Sequence, residues 1–359
     1  MMRGVLKSGV ACGLRWSGTS LLRRTLRARS GSPWIVGYHR VVEDFERGAR
    51  RSIPSMLIGR DMLGRHLDWI GRRFDLVPLD EIGTDRERRR RLRRPAAAVT
   101  FDDGYRDFYD LAFPILKEKG IPAAVFVVTS LVGGARPPLF ERLYLALVRA
   151  GDKGASPGGR LQRILPALGI EARMLEGAPP RDPFLLTRRL LEGMPRDDLT
   201  LVVETLEKEV GVDEKEQAER GPLDWPMLLE MRRAGVTIGS HTRRHALLPV
   251  ESPARVQEET LGSRRDLEER LGPGVDHFSY PNGSFDAATV EAVREAGYRF
   301  AYTSCGHRDP AHPLLTLPRT LLWQNSSLDA LGRFSPSVMG CHADGTFERT
   351  VVCAGHGAI

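Results

Sequence analysis

Two stretches of this 359-residue sequence set paired carboxylates or a pair of histidines just after a short apolar run. In Ala98-Val99-Thr100-Phe101-Asp102-Asp103-Gly104-Tyr105, two adjacent carboxylates end what reads as a buried strand. Neighbouring carboxylates repel when both are ionised, so solvent or a cation has to offset them. By itself Asp-Asp-Gly is ordinary turn chemistry. In Ile238-Gly239-Ser240-His241-Thr242-Arg243-Arg244-His245, two histidines four residues apart follow another apolar run. On a helical turn that spacing sets both imidazoles on one face, the geometry of a divalent-cation site, although such a pair is often only surface decoration. Carboxylates and histidines together read as an Asp-His-His centre with open coordination positions. A third run ends in Phe278-Ser279-Tyr280-Pro281-Asn282-Gly283. Its Pro-Asn-Gly is turn chemistry, placed so that backbone N–H groups would face the same opening.

Such residues converge only if the elements that carry them end on a common rim. Apolar, β-branched runs at 34–38, 76–79, 96–101, 123–129, 236–240, 277–280 and 300–303 alternate with helical patterns at 61–73, 107–119, 225–234, 253–271 and 286–296. This is the signature of βα units around a mostly parallel sheet, and seven strands suggest an incomplete barrel. Barrel enzymes place their chemistry at the C-terminal ends of the strands, where the motifs above fall. Residues 133–221 break the rhythm with helical, polar sequence. An insertion at that point is either a flap over the site or a solvated decoration. The chain therefore divides into a basic N-terminal segment (1–33), a first barrel part (34–132), a helical insertion (133–221), a second barrel part (222–332) and a loosely ordered C-terminal tail (333–359).

The formal net charge of +7 is local. Residues 1–30 carry seven basic and no acidic side chains, and RERRRRLRR at 86–94 adds a net +6, so the remainder is mildly acidic. No recognised motif or aromatic-interleaved patch accompanies the charge, which argues against a nucleic-acid partner. An apolar fraction of 41% with 28% charged residues fits a globular protein with a sizeable core. Four cysteines without a CxxC pair imply reduced thiols rather than a disulfide framework. The N-terminal apolar stretch 10–14 is too short to span a bilayer and poor as an export signal. The protein is accordingly expected inside the cell, cytoplasmic or peripherally membrane-associated, with the basic N-terminus as the membrane contact.

TFDDGYRDFYD (100–110), GSHTRRH (239–245) and FSYPNG (278–283), in that order, resemble the successive motifs of the NodB-type polysaccharide deacetylases, the family 4 carbohydrate esterases. Val36-Gly37-Tyr38-His39-Arg40-Val41 and Ala301-Tyr302-Thr303-Ser304 match as well, and the similarity runs from about Trp34 to about Trp323. In motif order it is closest to the poly-N-acetylglucosamine deacetylases. The resemblance implies a distorted (β/α)7 barrel and a hydrolase that removes acetyl groups from the N-acetylated sugars of a glycan or glycolipid. It implies Asp103, His241 and His245 as metal ligands, Asp102 as general base, and the backbone N–H at Asn282 as oxyanion donor. Tyr105, Tyr280 and Pro281 are assigned to substrate contact. Zinc is the first expectation for the cation, which would activate water and polarise the acetamide carbonyl.

Two departures matter. Many members carry Arg three residues before the position of Asn282, paired with the catalytic carboxylate; here that residue is Ser279. Pairing of Asp102 then falls to another cation, for which Arg319 is the candidate. The late Leu-x-His motif that usually supplies the acid is also not evident. His39 follows an apolar run and so emerges at a strand end, and an imidazole can hold and release a proton near neutral pH. A Tyr-His motif at this place supplies the acid in the related poly-N-acetylglucosamine deacetylases, and Tyr38-His39 resembles it. His307 and His312 are the fallback. Competing readings are a same-fold amidase acting on a non-sugar amide and a non-catalytic glycan-binding protein; the second would be expected to lack some of these residues.

Overall fold

The computed structural model describes residues 33–82, 92–152, 156–171, 175, 182–211 and 221–347. Expectations for residues 1–32 and 348–359, and for most of the basic run 86–94, fall outside these. The apolar runs become strands: β1 (Trp34–Tyr38), β2 (Ala96–Phe101), β3 (Ala123–Val127), β4 (Thr237–Ser240), β5 (His277–Ser279) and β6 (Phe300–Thr303), followed by β7 (Leu317–Pro318) and β8 (Thr320–Leu321). Nearly every strand residue is buried, as parallel strands covered on both faces must be. The order is β7-β6-β5-β4-β3-β2-β1-β8, and every pairing is parallel. Only Arg319 separates β7, which pairs with β6, from β8, which pairs with β1. That segment acts as one stave and joins the two ends of the sheet, giving the seven-stave barrel.

The seventh stave is not the one expected. Of 76–79, only Leu76 is in a strand, Asp75–Leu76, which pairs with the start of β2 before a 3₁₀ turn at Leu79–Glu81. The closing stave at 317–321 has two-residue ladders either side of Arg319 and a proline within it, so neither alternation nor an apolar run reveals it.

Alternate residues of each strand point inward. Ile35, Ala98, Ala124, Phe126 and Tyr302 fill the barrel, the small alanines leaving room for the rings of Phe126 and Tyr302, whose centroids lie 5.3 Å apart. Outward residues such as Val36, Val99 and Val125 pack under the helices. These are α1 (Arg60–Gly71), α2 (Phe113–Glu118), entered through a π-helical turn at Phe108–Ala112, then α3 (Leu139–Asp152), α4 (Pro157–Ala167), α5 (Pro183–Gly193), α6 (Arg196–Val210), α7 (Trp225–Arg233), α8 (Ser263–Leu271), α9 (Ala287–Glu295) and α10 (Pro336–Ala343). Ser or Asp caps α4, α5, α7, α9 and α10, with proline in the first turn of all but α9, where an N-cap acceptor and a fixed φ both favour helix initiation. Helices α3 to α6 lie between β3 and β4 and share a second core that includes Leu143, Leu147, Leu165, Leu190 and Leu206.

The segment 335–347 is not the loose tail expected. Ser335 caps α10, and Val338 and Met339 are buried, Met339 within the main core. Nor are all thiols reduced: Cys305 is disulfide-bonded, while Cys341 is a buried thiol. Among the described residues no helix is long and apolar enough to cross a membrane.

Candidate active site

The strand register aligns the chemistry. Tyr38 pairs with Phe101, Val127 with Ser240, and Ser279 with Tyr302, so the strands leave the barrel on one rim. The ladder continues one residue further: Asp102 N donates to Tyr38 O at 2.9 Å, His241 N to Val127 O at 2.9 Å and Tyr280 N to Tyr302 O at 3.0 Å. Each motif then turns sharply. Among the described residues, the non-glycine residues with positive φ are Asp103 (70°), Thr242 (66°), His245 (59°) and Asn282 (54°), all within the three motifs. Left-handed backbone at non-glycine residues costs on the order of 1 kcal/mol each and concentrates at functional sites.

Asp103, His241 and His245 converge, but not as a helical pair. The two histidines lie on a loop, and the left-handed turns at Thr242 and His245 bring the imidazoles together. Asp103 Oδ1 is 3.5 Å from His241 Nε2 and 3.4 Å from His245 Nε2. His241 Nδ1 donates to Ser279 O at 2.7 Å, which leaves the Nε2 lone pair facing Asp103. Phe140 packs on the ring of His245, centroids 4.7 Å apart. Burial pulls the pKa of both histidines down, so both rings are neutral and can donate lone pairs. Burial, with the charges of Asp102 and Glu141, pushes that of Asp103 well up. Both Asp103 oxygens are buried without a hydrogen-bond partner. A buried carboxylate left unsatisfied beside two neutral imidazoles fits a divalent cation, and an N,N,O donor set suits zinc.

Asp102 is held differently. Arg319 Nη1 and Nη2 donate to its two oxygens at 2.8 and 2.7 Å, and also to Thr100 Oγ1 (3.0 Å) and Ser279 Oγ (2.7 Å). Burial would raise the Asp102 pKa, but the charge and hydrogen bonds of Arg319 outweigh it and hold the group below the usual carboxylate range. The missing motif arginine is thus replaced from the closing stave, and Ser279, standing in its place, receives the substitute. His39 lies half-buried on the cavity wall, its pKa lowered to about 4 by burial against the pull of Asp102.

Asn282 and Gly283 lie on the same wall. A Cβ on Gly283, whose φ is +68°, would fall 2.4 Å from Ser304 N, so the tight turn needs glycine. Tyr280 lines the cavity and its buried hydroxyl has no partner among the described residues. Pro281 is buried in the turn and is not on the wall. Tyr105 is not on it either: it is fully buried, with its hydroxyl donating to Glu141 at 2.8 Å and Arg40 stacked 4.6 Å from its ring. Its aromatic ring serves the core behind the Asp pair, which a motif position alone does not reveal. His307 and His312 do not line the cavity; His307 stacks on Phe285 and His312 bonds Asp309.

Glu141 is the residue that sequence reasoning missed. Fully buried on α3, it accepts from Arg40 at 2.9 Å, from Tyr105 and from Ser52, while Arg40 also pairs with Asp107 at 2.8 Å. This network ties the helical segment to the turn that carries Asp102 and Asp103. Removing one partner of a buried charge pair leaves the other uncompensated, so Glu141→Ala is expected to lose about 3 kcal/mol of stability. Unfolding in denaturant measures this, and a loss below ~1 kcal/mol would show that the network does not hold the two parts together. In the sequence only Glu141's place on the otherwise apolar face of the amphipathic α3 marks it.

The cavity over these groups has a volume of about 1120 Å³. Barrel-rim residues form one side, and Phe140, Phe184, Thr187 and Leu191 of α3 and α5 form part of the other.

The sequence matches the family described as Polysaccharide deacetylase over residues 89–154 and 199–301. No curated protein matches it. Among solved structures it is similar to the Streptococcus pyogenes deacetylase PplD in complex with acetate, with 17% identity and a TM-score of 0.51, covering 86% of this chain and 96% of that one. It is also similar to IcaB from Ammonifex degensii (20% identity, TM-score 0.50, 82% and 93% covered) and to a de-N-acetylase from Aggregatibacter actinomycetemcomitans (17%, 0.50, 81% and 95%). At these identities the structural likeness speaks for the fold. The family match and the three ordered motifs at the strand ends speak for more: this chain carries a polysaccharide deacetylase domain of the NodB type and is a deacetylase enzyme.

Proposed function

We propose that the enzyme removes N-acetyl groups from the amino sugars of a polysaccharide or lipid-linked glycan, with a divalent cation, zinc first, held by Asp103, His241 and His245. The observation that carries this is the pair of buried, partnerless Asp103 oxygens facing two imidazole lone pairs. Bound there, the cation would supply Lewis acidity, lowering the pKa of a water and polarising the amide carbonyl. Asp102, fixed by the Arg319 fork, accepts a proton from the attacking water. The backbone N–H of Asn282, which lines the same cavity, meets the negative charge that develops on the carbonyl oxygen. His39 enters neutral, so it acts as a relay: the proton that Asp102 takes from the water passes by way of His39 to the departing nitrogen. Tyr280 contributes a hydroxyl to the substrate. The C–N bond breaks, and acetate and a free amino sugar leave.

Acetate release from N-acetylglucosamine oligomers is the direct test. Release that stops with a chelator and returns with zinc is expected; no release from oligomers by zinc-loaded enzyme would count against the reading. His39→Ala is expected to keep the metal and lower turnover on the amide by about 10²- to 10⁴-fold. An acetyl ester, whose alcohol leaves with less help from a proton, should lose much less. Equal losses on amide and ester would remove His39 from the acid role.

A further inference from the structure

The catalytic cavity has two unlike sides. His39, Asp102, Asp103, His241 and His245 surround its reacting end, whereas Ile53, Met56, Phe184, Leu191, Leu247 and Val250 line it with apolar surface, all but Phe184 belonging to or packed on the second core. Beside them Ser55 adds a hydroxyl, and the polar groups of α5 that line the cavity are engaged within the helix. The Thr187 hydroxyl donates to Pro183 O at 2.8 Å, and Arg188 Nε pairs with Glu192 at 2.7 Å. A sugar strand carries hydroxyls around every ring, and laid along these apolar residues it would lose more hydrogen bonds to water than it regains. A hydrocarbon chain gains there, by up to about fourfold in affinity for each buried methylene.

The apolar wall also continues to the surface. Phe184 lines the cavity while 41% exposed, and its neighbour Leu185, at the same end of α5, is 49% exposed. Apolar side chains of α5 thus extend from the cavity to the surface. The volume of about 1120 Å³ exceeds the roughly 300–1,000 Å³ usual for small-molecule sites, so a sugar and part of a chain fit together. We infer that the substrate is an amphiphile, an N-acetylated amino sugar whose glycosidic substituent is a hydrocarbon chain that lies along this wall. This rests on the deacetylase reading above.

The test uses the full-length, zinc-supplemented enzyme with methyl, hexyl and octyl glycosides of N-acetylglucosamine below their micellar concentrations, and chitotetraose as a bare glycan. kcat/KM is expected to rise at least tenfold from methyl to octyl, with the octyl glycoside preferred over chitotetraose. Titration calorimetry should give the same order of binding. Phe184→Asn and Val250→Asn should each cut the octyl-to-methyl ratio severalfold; the exposure of Phe184 keeps its variant folded. Equal kcat/KM for methyl and octyl, or a preference for chitotetraose, would overturn the inference and leave the deacetylase reading standing. Octyl binding that is tighter than methyl, with no acetate released from any of them, would support the wall's role and overturn the deacetylase reading instead.

Discussion

Asp103→Ala, His241→Ala and His245→Ala are each expected to lose bound cation and turnover together. Three donors are the minimum for a hydrolytic metal centre that keeps an open position, and losing one leaves too few to hold the ion. Asp103 bears most, because both its oxygens are buried without a partner and it is the one anionic donor of the set. The parent should therefore gain thermal stability when zinc is added, since a ligand that binds only the folded state stabilises it by mass action. None of the three variants should show that gain. Asp103→Asn sharpens the comparison. Without metal it removes a buried carboxyl group that has no partner, so the metal-free variant should be at least as stable as the metal-free parent. Elemental analysis and melting temperature with and without zinc measure both effects. Full metal occupancy in any of these variants would show that the cation, if bound, lies elsewhere.

Asp102→Asn should behave in the opposite way, retaining metal while turnover falls by about 10²- to 10⁴-fold. Its two oxygens are taken by the guanidinium of Arg319, so the group is oriented by the fork rather than by the cation. Arg319→Lys is the companion. An ammonium cannot reach both Asp102 oxygens, Thr100 and Ser279 at once, as the planar fork does. Turnover should fall by about tenfold or more with metal retained, and the double variant Asp102→Asn/Arg319→Lys should be little worse than Asp102→Asn, because the arginine acts through the aspartate. Independent, multiplying losses would mean that Arg319 serves the reaction by another route, and parental activity in Asp102→Asn would place the base elsewhere.

The motifs were legible in the sequence because they depend on short-range facts. An apolar run followed by Asp102-Asp103-Gly104 or His241 marks a buried strand delivering ionisable groups to its end. The helical pairing read into His241 and His245 failed for a local reason too: spacing in sequence does not reveal that Thr242 and His245 take left-handed conformations. Glu141 and the closing stave escaped because their meaning is entirely long-range. Glu141 finds Arg40 and Tyr105 across the fold, and residues 317–321 are strand only because β6 and β1 flank them.

Sequence by itself determined the parallel βα architecture, the strand ends that carry the Asp and His groups, and the candidate role of Arg319 as a substitute cation, since burial pattern and motif order are encoded residue by residue. Tertiary structure alone decided that Arg319 reaches Asp102 with both nitrogens, that Tyr105 supports the core rather than touching substrate, and that α3 and α5 form an apolar wall of the cavity. The reason is physical. Pairing a buried charge, satisfying a buried hydroxyl and closing a cavity each join residues tens to hundreds of positions apart, and only the packed chain brings them within a few ångströms of one another.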